Sequence, residues 1–276
     1  MSPGGLLLAA ARLYLRAKQG DGPLTEQNPA IEPDPRAAAR RLSAPELPRR
    51  FYKEAQAVEQ EGSFHLHLDG RPARTPASNP LAVPTHRLAA ALEEEWNLQA
   101  DKIDAATMPV TRLANSAIDG VAPRMEDVRA DVLGYAGSDL LCYRAGEPEG
   151  LAARQAGRWD PVLAWAERRL GARFVLAEGV MHVAQPAETL DAFAAALARF
   201  EEPFALAGLH VATTLTGSAL LALALAEGGV GVDDAWAAAH VDEDWNMELW
   251  GEDAEALSRR ARRFEEFRAA ALALGR

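Results

Sequence analysis

The pattern of apolar and polar positions divides the chain into a proline-rich start, a short alternating stretch and a long helical remainder. Residues 20–48 are dense in proline with scattered charge, a composition that buries too little apolar surface to offset the entropy lost on ordering. Residues 1–18 place an apolar run before their arginines, the reverse of the order in a secretory signal peptide. We therefore predict a flexible tail and linker over residues 1–48.

Alternation with a period of two begins directly after this linker. Residues 64–68 alternate apolar with polar, a turn signal at residues 61–62 precedes them, and residues 51–58 supply a partner strand. A second turn signal at residues 69–70 leads into a third short strand at 71–75. These features predict an antiparallel meander with one buried face.

The period lengthens to that of a helix after Thr85, where Leu88, Leu92 and Trp96 fall on one stripe. Trp96 is therefore expected to face a core or a partner. Later stripes that predict helices are Met125-Val128-Val132-Tyr135, Val162-Leu163-Trp165-Ala166-Leu170 and Leu190-Phe193-Leu197-Phe200. Asp160-Pro161 is a start signal for the second of these stripes and Gly171 a stop signal. Residues 139–144 are expected to form a short buried strand or an extended link, and short strand-like pieces are expected at 174–176 and 180–183.

Residues 203–226 contain no formally charged side chain and are long enough to cross a bilayer, which takes about 20 apolar residues. Their flanks are acidic, no lysine or arginine anchors them, and their middle is polar. We therefore predict a helix buried at the centre of a helical domain, with His210 as a core histidine bonded to a neighbouring helix. A membrane-anchored scaffold is the alternative interpretation.

Two helices of opposite charge are predicted on either side of Gly251. The first, over residues 233–250, is expected to bury Trp236, Val241, Trp245 and Leu249 and is otherwise acidic. The second, from Asp253 onward, is rich in arginine. The two helices are expected either to pair in part or to present solvated faces.

Composition narrows the class of partner. The formal charge of −11 disfavours nucleic acid and anionic membrane surfaces as partners, because both bind clustered basic residues. A protein partner fits better. Cys142 is the single cysteine, so no internal disulfide can form. With 276 residues, the chain lies near the length at which one core divides into two domains.

Motifs for metal binding are incomplete. His65 and His67 share a strand face but occupy its polar positions, so we expect them to face solvent. Asp242-x-Asp244-x-Asn246 imitates the opening of a calcium loop, but methionine stands where that loop requires glycine. His240 and Glu243 lie one helical turn apart without a second such pair to complete a zinc site. No glycine-rich phosphate loop is present in the sequence.

Short motifs spread over the chain carry a resemblance to a known family. They are Arg50-Phe51-Tyr52-Lys53, Leu68-Asp69-Gly70-Arg71-Pro72 with Thr75-Pro76, Glu95-Trp96, Thr107-Met108-Pro109-Val110-Thr111-Arg112-Leu113-Ala114-Asn115, Asp139-Leu140-Leu141-Cys142-Tyr143-Arg144, Trp159-Asp160-Pro161 with Trp165-Ala166, and Trp245 with Trp250-Gly251. In number, order and spacing they resemble the ATP synthase assembly chaperones that act on the α subunit of the F1 head. None of them lies within residues 1–48.

The resemblance implies an α+β fold, with a small antiparallel β-rich N-terminal domain that includes a helix (residues 49–106) and a larger, mainly helical C-terminal domain (residues 107–276). It implies a protein that is not an enzyme and needs no cofactor, metal or small-molecule substrate. Such a protein binds the unassembled α subunit, shields its apolar β-facing surface from aggregation, and releases it to the β subunit without nucleotide hydrolysis.

The resemblance also implies an important acidic residue on the penultimate helix. By position Glu243 is the best match, and Asp242 and Asp244 remain open as alternatives. Trp245 and Glu248 are predicted to share this partner-binding surface. Structural roles are predicted for four residues, namely Glu95, Trp96, Trp159 and Trp250.

Relatives occur in mitochondria, where the matrix is their location. The first residues lack a clear import presequence, so we expect a bacterial protein that acts in the cytoplasm. The alternative function is a small-molecule enzyme that uses a carboxylate pair near His240. A pocket with convergent polar groups and perturbed acids would favour that alternative.

Overall fold

The alternating stretch forms a small antiparallel sheet in the computed structural model of the chain, which describes residues 46–276. Its strands are β1 (Ala55–Gln60), β2 (Ser63–Leu68), β3 (Arg71–Pro72) and β4 (Ala82–Val83). β1 pairs with β2 in the register Ala55↔Leu68, and β3 and β4 both pair with β2. The predicted meander is confirmed. The tail and linker predicted for residues 1–48 fall almost wholly outside the described residues.

Ten α-helices follow within the described residues. They are α1 (His86–Asn97), α2 (Pro109–Asn115), α3 (Met125–Ala136), α4 (Glu149–Leu170), α5 (Ala187–Leu197), α6 (Pro203–Thr216), α7 (Ala219–Ala226), α8 (Val232–Ala239), α9 (Val241–Trp250) and α10 (Ala254–Ala273). A parallel pair, β5 (Tyr143–Arg144) with β6 (Ala177–Glu178), lies among them. The predicted α+β class, with a β-rich N-terminal part and a helical remainder, is confirmed. Residues 47–276 form one compact unit, and the boundary at residue 106 stays a prediction.

The uncharged segment forms the centre of the helical part, but not as one helix. Every residue from Ala219 to Leu225 is buried, and α7 packs against α3, α4, α6 and α8. Gly217 ends α6 with a φ of 70°, and the hydroxyl of Ser218 accepts the first hydrogen bond of α7 from the Leu221 N–H. The prediction of a single helix is therefore wrong, because a C-cap glycine and an N-cap serine stand side by side.

No helix among the described residues is long and apolar enough to cross a membrane. His210 does bond to a neighbouring helix, since its Nε2 lies 2.7 Å from the Asp131 carboxylate of α3. Its ring is half-buried rather than in the core, so that part of the prediction is wrong. The charged partner at the protein surface explains why the ring stays partly in water.

The start predicted at Asp160-Pro161 is wrong, because both residues lie inside α4. Gln155, Trp159, Val162 and Ala166 form one buried stripe that continues through the proline. Proline costs about 3 kcal/mol inside a helix, but here Pro161 lies on the exposed face, as does Gly157, the residue to which the missing N–H would have bonded. Burial of this stripe therefore outweighs the proline, and the helix continues through it.

Two further expectations are wrong. Residues 233–250 form two helices rather than one, because the backbone leaves the helical conformation at His240, which has φ −116° and ψ 19°. The strands expected at residues 174–176 and 180–183 do not form, because the strand lies between them at Ala177–Glu178 and the apolar side chains of residues 175, 176, 180 and 181 are exposed. Pairing with the two residues of β5 fixes only this short piece.

Candidate functional site

The Glu95-Trp96 pair joins α1 to the first turn of α2. The Glu95 carboxylate accepts hydrogen bonds from the backbone N–H groups of Val110 (2.6 Å) and Thr111 (2.7 Å) and from the Thr111 hydroxyl (2.7 Å). The Trp96 indole donates to the same hydroxyl at 3.1 Å. These amides lack partners within their own helix and attract negative charge. Burial nevertheless raises the pKa of Glu95.

The Arg50 and Asp69 motifs meet this joint from the sheet side. The Tyr52 hydroxyl donates to the Trp96 carbonyl at 2.6 Å, and the Arg50 guanidinium donates to the carbonyls of Asn97, the last residue of α1, and Gln99. Asp69 accepts from the backbone of residues 53–54. Three of the recognised motifs are therefore neighbours in space, and their polar groups are bonded to one another.

Trp159 forms a second joint, between α4 and α8. It is buried, and its indole donates to the Ala238 carbonyl at 2.7 Å. The Arg144 guanidinium lies 5.2 Å from the indole ring centre and forms an ion pair with Asp160 at 2.7 Å. Two more of the recognised motifs therefore contact each other here.

Asp139 was not singled out in the sequence, yet it holds the break between α6 and α7. Its carboxylate accepts from the Ser218 hydroxyl (2.7 Å), the Leu220 N–H (2.9 Å) and the Leu141 N–H (3.1 Å). Complete burial raises the pKa of Asp139 to about 6 despite these bonds. Its only signal in the sequence is its place at the head of the 139–144 motif.

The acidic helix α9 holds the five residues predicted to bind a partner. Three of its four carboxylates are engaged inside the molecule. These bonds run from Gln155 to Asp242 at 2.7 Å, from Arg260 of α10 to Asp244, and from Arg154 of α4 to Glu248 at 2.7 and 2.8 Å. The ion pair lowers the pKa of Glu248, which stays charged at neutral pH. The partial pairing of the last two helices is confirmed by the contact between Arg260 and Asp244.

Glu243 differs from its three neighbours. Its side chain is 60% exposed, and within the described residues it makes no hydrogen bond. The nearest positively chargeable group is His240, whose Nε2 lies 3.9 Å away. Burial lowers the pKa of His240, so its imidazole is uncharged at neutral pH and does not neutralise the carboxylate. Glu243 therefore presents a negative charge to solvent and has no cationic partner among residues 46–276.

The aromatic residues of α9 lie in two different settings. Trp245 is half-buried at the contact with α4, where its ring packs against Gly150 and the Arg154 guanidinium lies 5.2 Å from the ring centre. Trp250 is 77% exposed and Leu249 is exposed beside it. Leu249 was expected on the buried face, which is wrong. A structural role was predicted for Trp250. Its exposure where α9 ends at the protein surface gives that role no support.

His240 is packed and bonded inside the helical part. The ring is buried with its centre 3.9 Å from the centre of the Trp236 ring, and its Nδ1 bonds the Trp236 carbonyl at 2.7 Å. An adjacent groove of about 450 Å³ contains Arg154 and Glu248, which neutralise each other. In the part of the chain that the structure describes, no group of three His, Cys, Asp or Glu side chains could hold a metal ion.

An exposed apolar loop has no counterpart among the predicted site residues. Val180 is 93% exposed and Met181 78%, and Val175 and Leu176 nearby are also exposed. Apolar residues in this number predict a strand from sequence alone. The exposure becomes visible only once the structure shows that no described element covers them.

Known proteins match the region of the chain that holds most of these motifs. Residues 49–167 match a family model described as ATP12 chaperone protein. The mitochondrial protein atp12 of Schizosaccharomyces pombe is 26% identical over 140 residues. That match covers 48% of this chain and 48% of the yeast protein, so it spans about half the length of this curated relative.

Solved bacterial structures match over most of the chain. The protein Atu1473 of Agrobacterium tumefaciens, described as a candidate chaperone, has a TM-score of 0.79 at 52% identity, over 89% of this chain and 92% of that one. Atp12 of Paracoccus denitrificans has a TM-score of 0.75 at 40% identity, over 83% and 97%. An aspartate-to-lysine mutant of the Paracoccus protein also has a TM-score of 0.75, at 39% identity and over the same shares.

Proposed function

Because these matches show that the chain belongs to the ATP12 chaperone family, we propose that it binds the unassembled α subunit of the ATP synthase F1 head. On this proposal it covers the apolar surface of the α subunit that later faces the β subunit, and the β subunit displaces it. Large unpaired apolar surfaces aggregate, and a reversible cover of moderate affinity prevents this while permitting exchange.

The observation that carries the proposal is the outward side of α9. Glu243 presents an uncompensated carboxylate, and two apolar side chains, Leu249 and Trp250, are exposed about two turns further along. Aromatic anchors and charge-assisted contacts at their edge supply most of the energy in protein interfaces. The remaining carboxylates of α9 fix the helix to α4 and α10, which supports Glu243 rather than Asp242 or Asp244 as the contact to the client.

The proposal includes action without catalysis, in the bacterial cytoplasm. The family model and the Agrobacterium protein are described as chaperones, and the yeast relative is described as mitochondrial. The setting of His240 supports a packing role rather than an acid–base role, since its ring is buried and already bonded.

The test is an assembly assay with freshly refolded α subunit from the same organism. Light scattering follows aggregation with and without this chain, and gel filtration follows complex formation before and after the β subunit is added. The proposal expects suppressed scattering, a co-eluting complex and release by the β subunit. Unhindered aggregation with no complex would refute it, and serum albumin at equal concentration controls for unspecific protection.

A further inference from the structure

The apolar loop, which we define as residues 175–181, exposes four large apolar side chains in seven residues. Val175, Leu176, Val180 and Met181 are all at least 40% exposed. Soluble proteins seldom leave several such side chains together in water unless the surface binds something.

The loop is held in place from both ends, so its exposure is not that of a frayed segment. The Gln185 side chain bonds both the N–H and the carbonyl of Val175, at 2.8 and 3.0 Å. β6 pairs with β5, and the Gly179 N–H donates to the Arg144 carbonyl at 2.9 Å. The Tyr143 hydroxyl bonds the His182 ring at 3.2 Å.

The base of the loop and α9 lie on either side of one short segment, residues 146–150. A Cβ atom placed on Gly146 would collide with the Glu178 carboxylate of the loop. A Cβ atom placed on Gly150 would lie 2.7 Å from the Trp245 ring. The two glycines, four positions apart, therefore bring the apolar loop and the acidic helix to the same part of the surface.

The surface between the loop and α9 is acidic. Glu147, Glu149 and Glu178 are exposed, and none of them forms an ion pair within the described residues. The arginines that flank this segment in the sequence, Arg144 and Arg154, pair with Asp160 and Glu248. We call these three glutamates the acidic strip.

We propose that the apolar loop, the acidic strip and the edge of α9 at Trp245 form one continuous surface that binds an extended client segment in which apolar side chains flank basic residues. The inference rests on the proposed function, because the α subunit would supply this segment. The basic residues would face the acidic strip, and the apolar ones would cover the loop and the exposed part of Trp245. A second copy of this chain fits poorly, since a two-fold contact would oppose two acidic strips.

The test uses the full chain and measures its affinity for the refolded α subunit. Replacing Val180 and Met181 together by serine is expected to weaken binding about tenfold, as for a central apolar anchor. Leu98→Ser, which changes a 73% exposed side chain at the end of α1, is the matched control and is expected to alter binding less than twofold. Replacing Glu147 and Glu149 by glutamine is expected to reduce the salt dependence of binding.

The outcomes separate the two proposals. If the parent chain does not bind the α subunit, the proposed function fails and the inference falls with it. If the parent binds and the loop variant binds equally well, only the inference is overturned. If the parent self-associates on gel filtration and the loop variant does not, the loop is an interface between copies, and the inference is overturned in that case too.

Discussion

Two regions of the molecule contain a glutamate and a tryptophan in opposite settings. At the joint between α1 and α2, Glu95 and Trp96 are bonded to the same threonine. On α9, Glu243 and Trp250 are exposed and carry no such bonds within the described residues. Groups that are satisfied internally act through stability, whereas groups left facing solvent are available for a partner. Substitutions in the two regions should therefore fail in different assays.

The largest expected effect is that of Trp96→Arg. This change removes a packed indole and its hydrogen bond and places a charge at the joint, which should cost roughly 3 kcal/mol or more of the free energy of unfolding. Urea denaturation measures it. Trp250→Arg is the matched control and should unfold like the parent, because its side chain is already in solvent. If Trp96→Arg and the parent unfolded at the same urea concentration, Trp96 would not stabilise the fold and the contrast between the two regions would be lost.

Asp139 supplies a pH test of the internally bonded groups. Its pKa of about 6 in the folded state lies above the ordinary 3.8, so the folded protein holds the proton more tightly than the unfolded chain. The stability from this group is complete below pH 3.8 and is lost as the pH rises through about 6. The loss is on the order of 3 kcal/mol, since each pKa unit corresponds to about 1.4 kcal/mol.

The measurement compares the free energy of unfolding of the parent with that of Asp139→Asn between about pH 4 and about pH 7.5. The difference between the two should shift in favour of the variant as the pH rises. A difference that is constant over this range would show that the carboxyl group has an ordinary pKa in the folded protein.

Glu95→Ala should have a smaller effect on stability than Trp96→Arg. It leaves the first amides of α2 without their acceptor, a loss typical of a removed helix cap, at about 1–2 kcal/mol. Thermal or urea unfolding is again the measurement. Glu94→Ala, which changes an exposed neighbour on α1, is the control and should lie within about 0.5 kcal/mol of the parent. If both variants unfold alike, Glu95 is not the cap that its geometry indicates.

Much of the fold was predictable because local signals and burial agree. Alternation and the turn at residues 61–62 predict the hairpin, and Gly171 marks the end of α4 as expected. The prediction failed at Asp160-Pro161, where a strong local signal was outweighed by a stripe buried against distant helices. The split of residues 203–226 could have been found, since glycine followed by serine is a stop signal next to a start signal.

The candidate site was less predictable than the fold. Sequence places Asp242, Glu243 and Asp244 on one helical turn and does not separate them. They differ in the structure because residues of two other helices bond two of them. Gln155 of α4 bonds Asp242 and Arg260 of α10 bonds Asp244, whereas Glu243 stays exposed. The apolar loop was missed for a related reason. Its composition is typical of a buried strand, and only the structure shows that none of the described elements packs over its side chains.

The central claim is that α9 binds a client through Glu243 while the joint at Glu95 and Trp96 maintains the fold. The most direct measurement is the affinity of Glu243→Lys for the refolded α subunit, with its unfolding measured in parallel and Glu59→Lys as a charge-matched control on β1. We predict at least about tenfold weaker binding for Glu243→Lys, stability within about 1 kcal/mol of the parent, and unchanged binding for the control. Affinity equal to that of the parent would contradict the account.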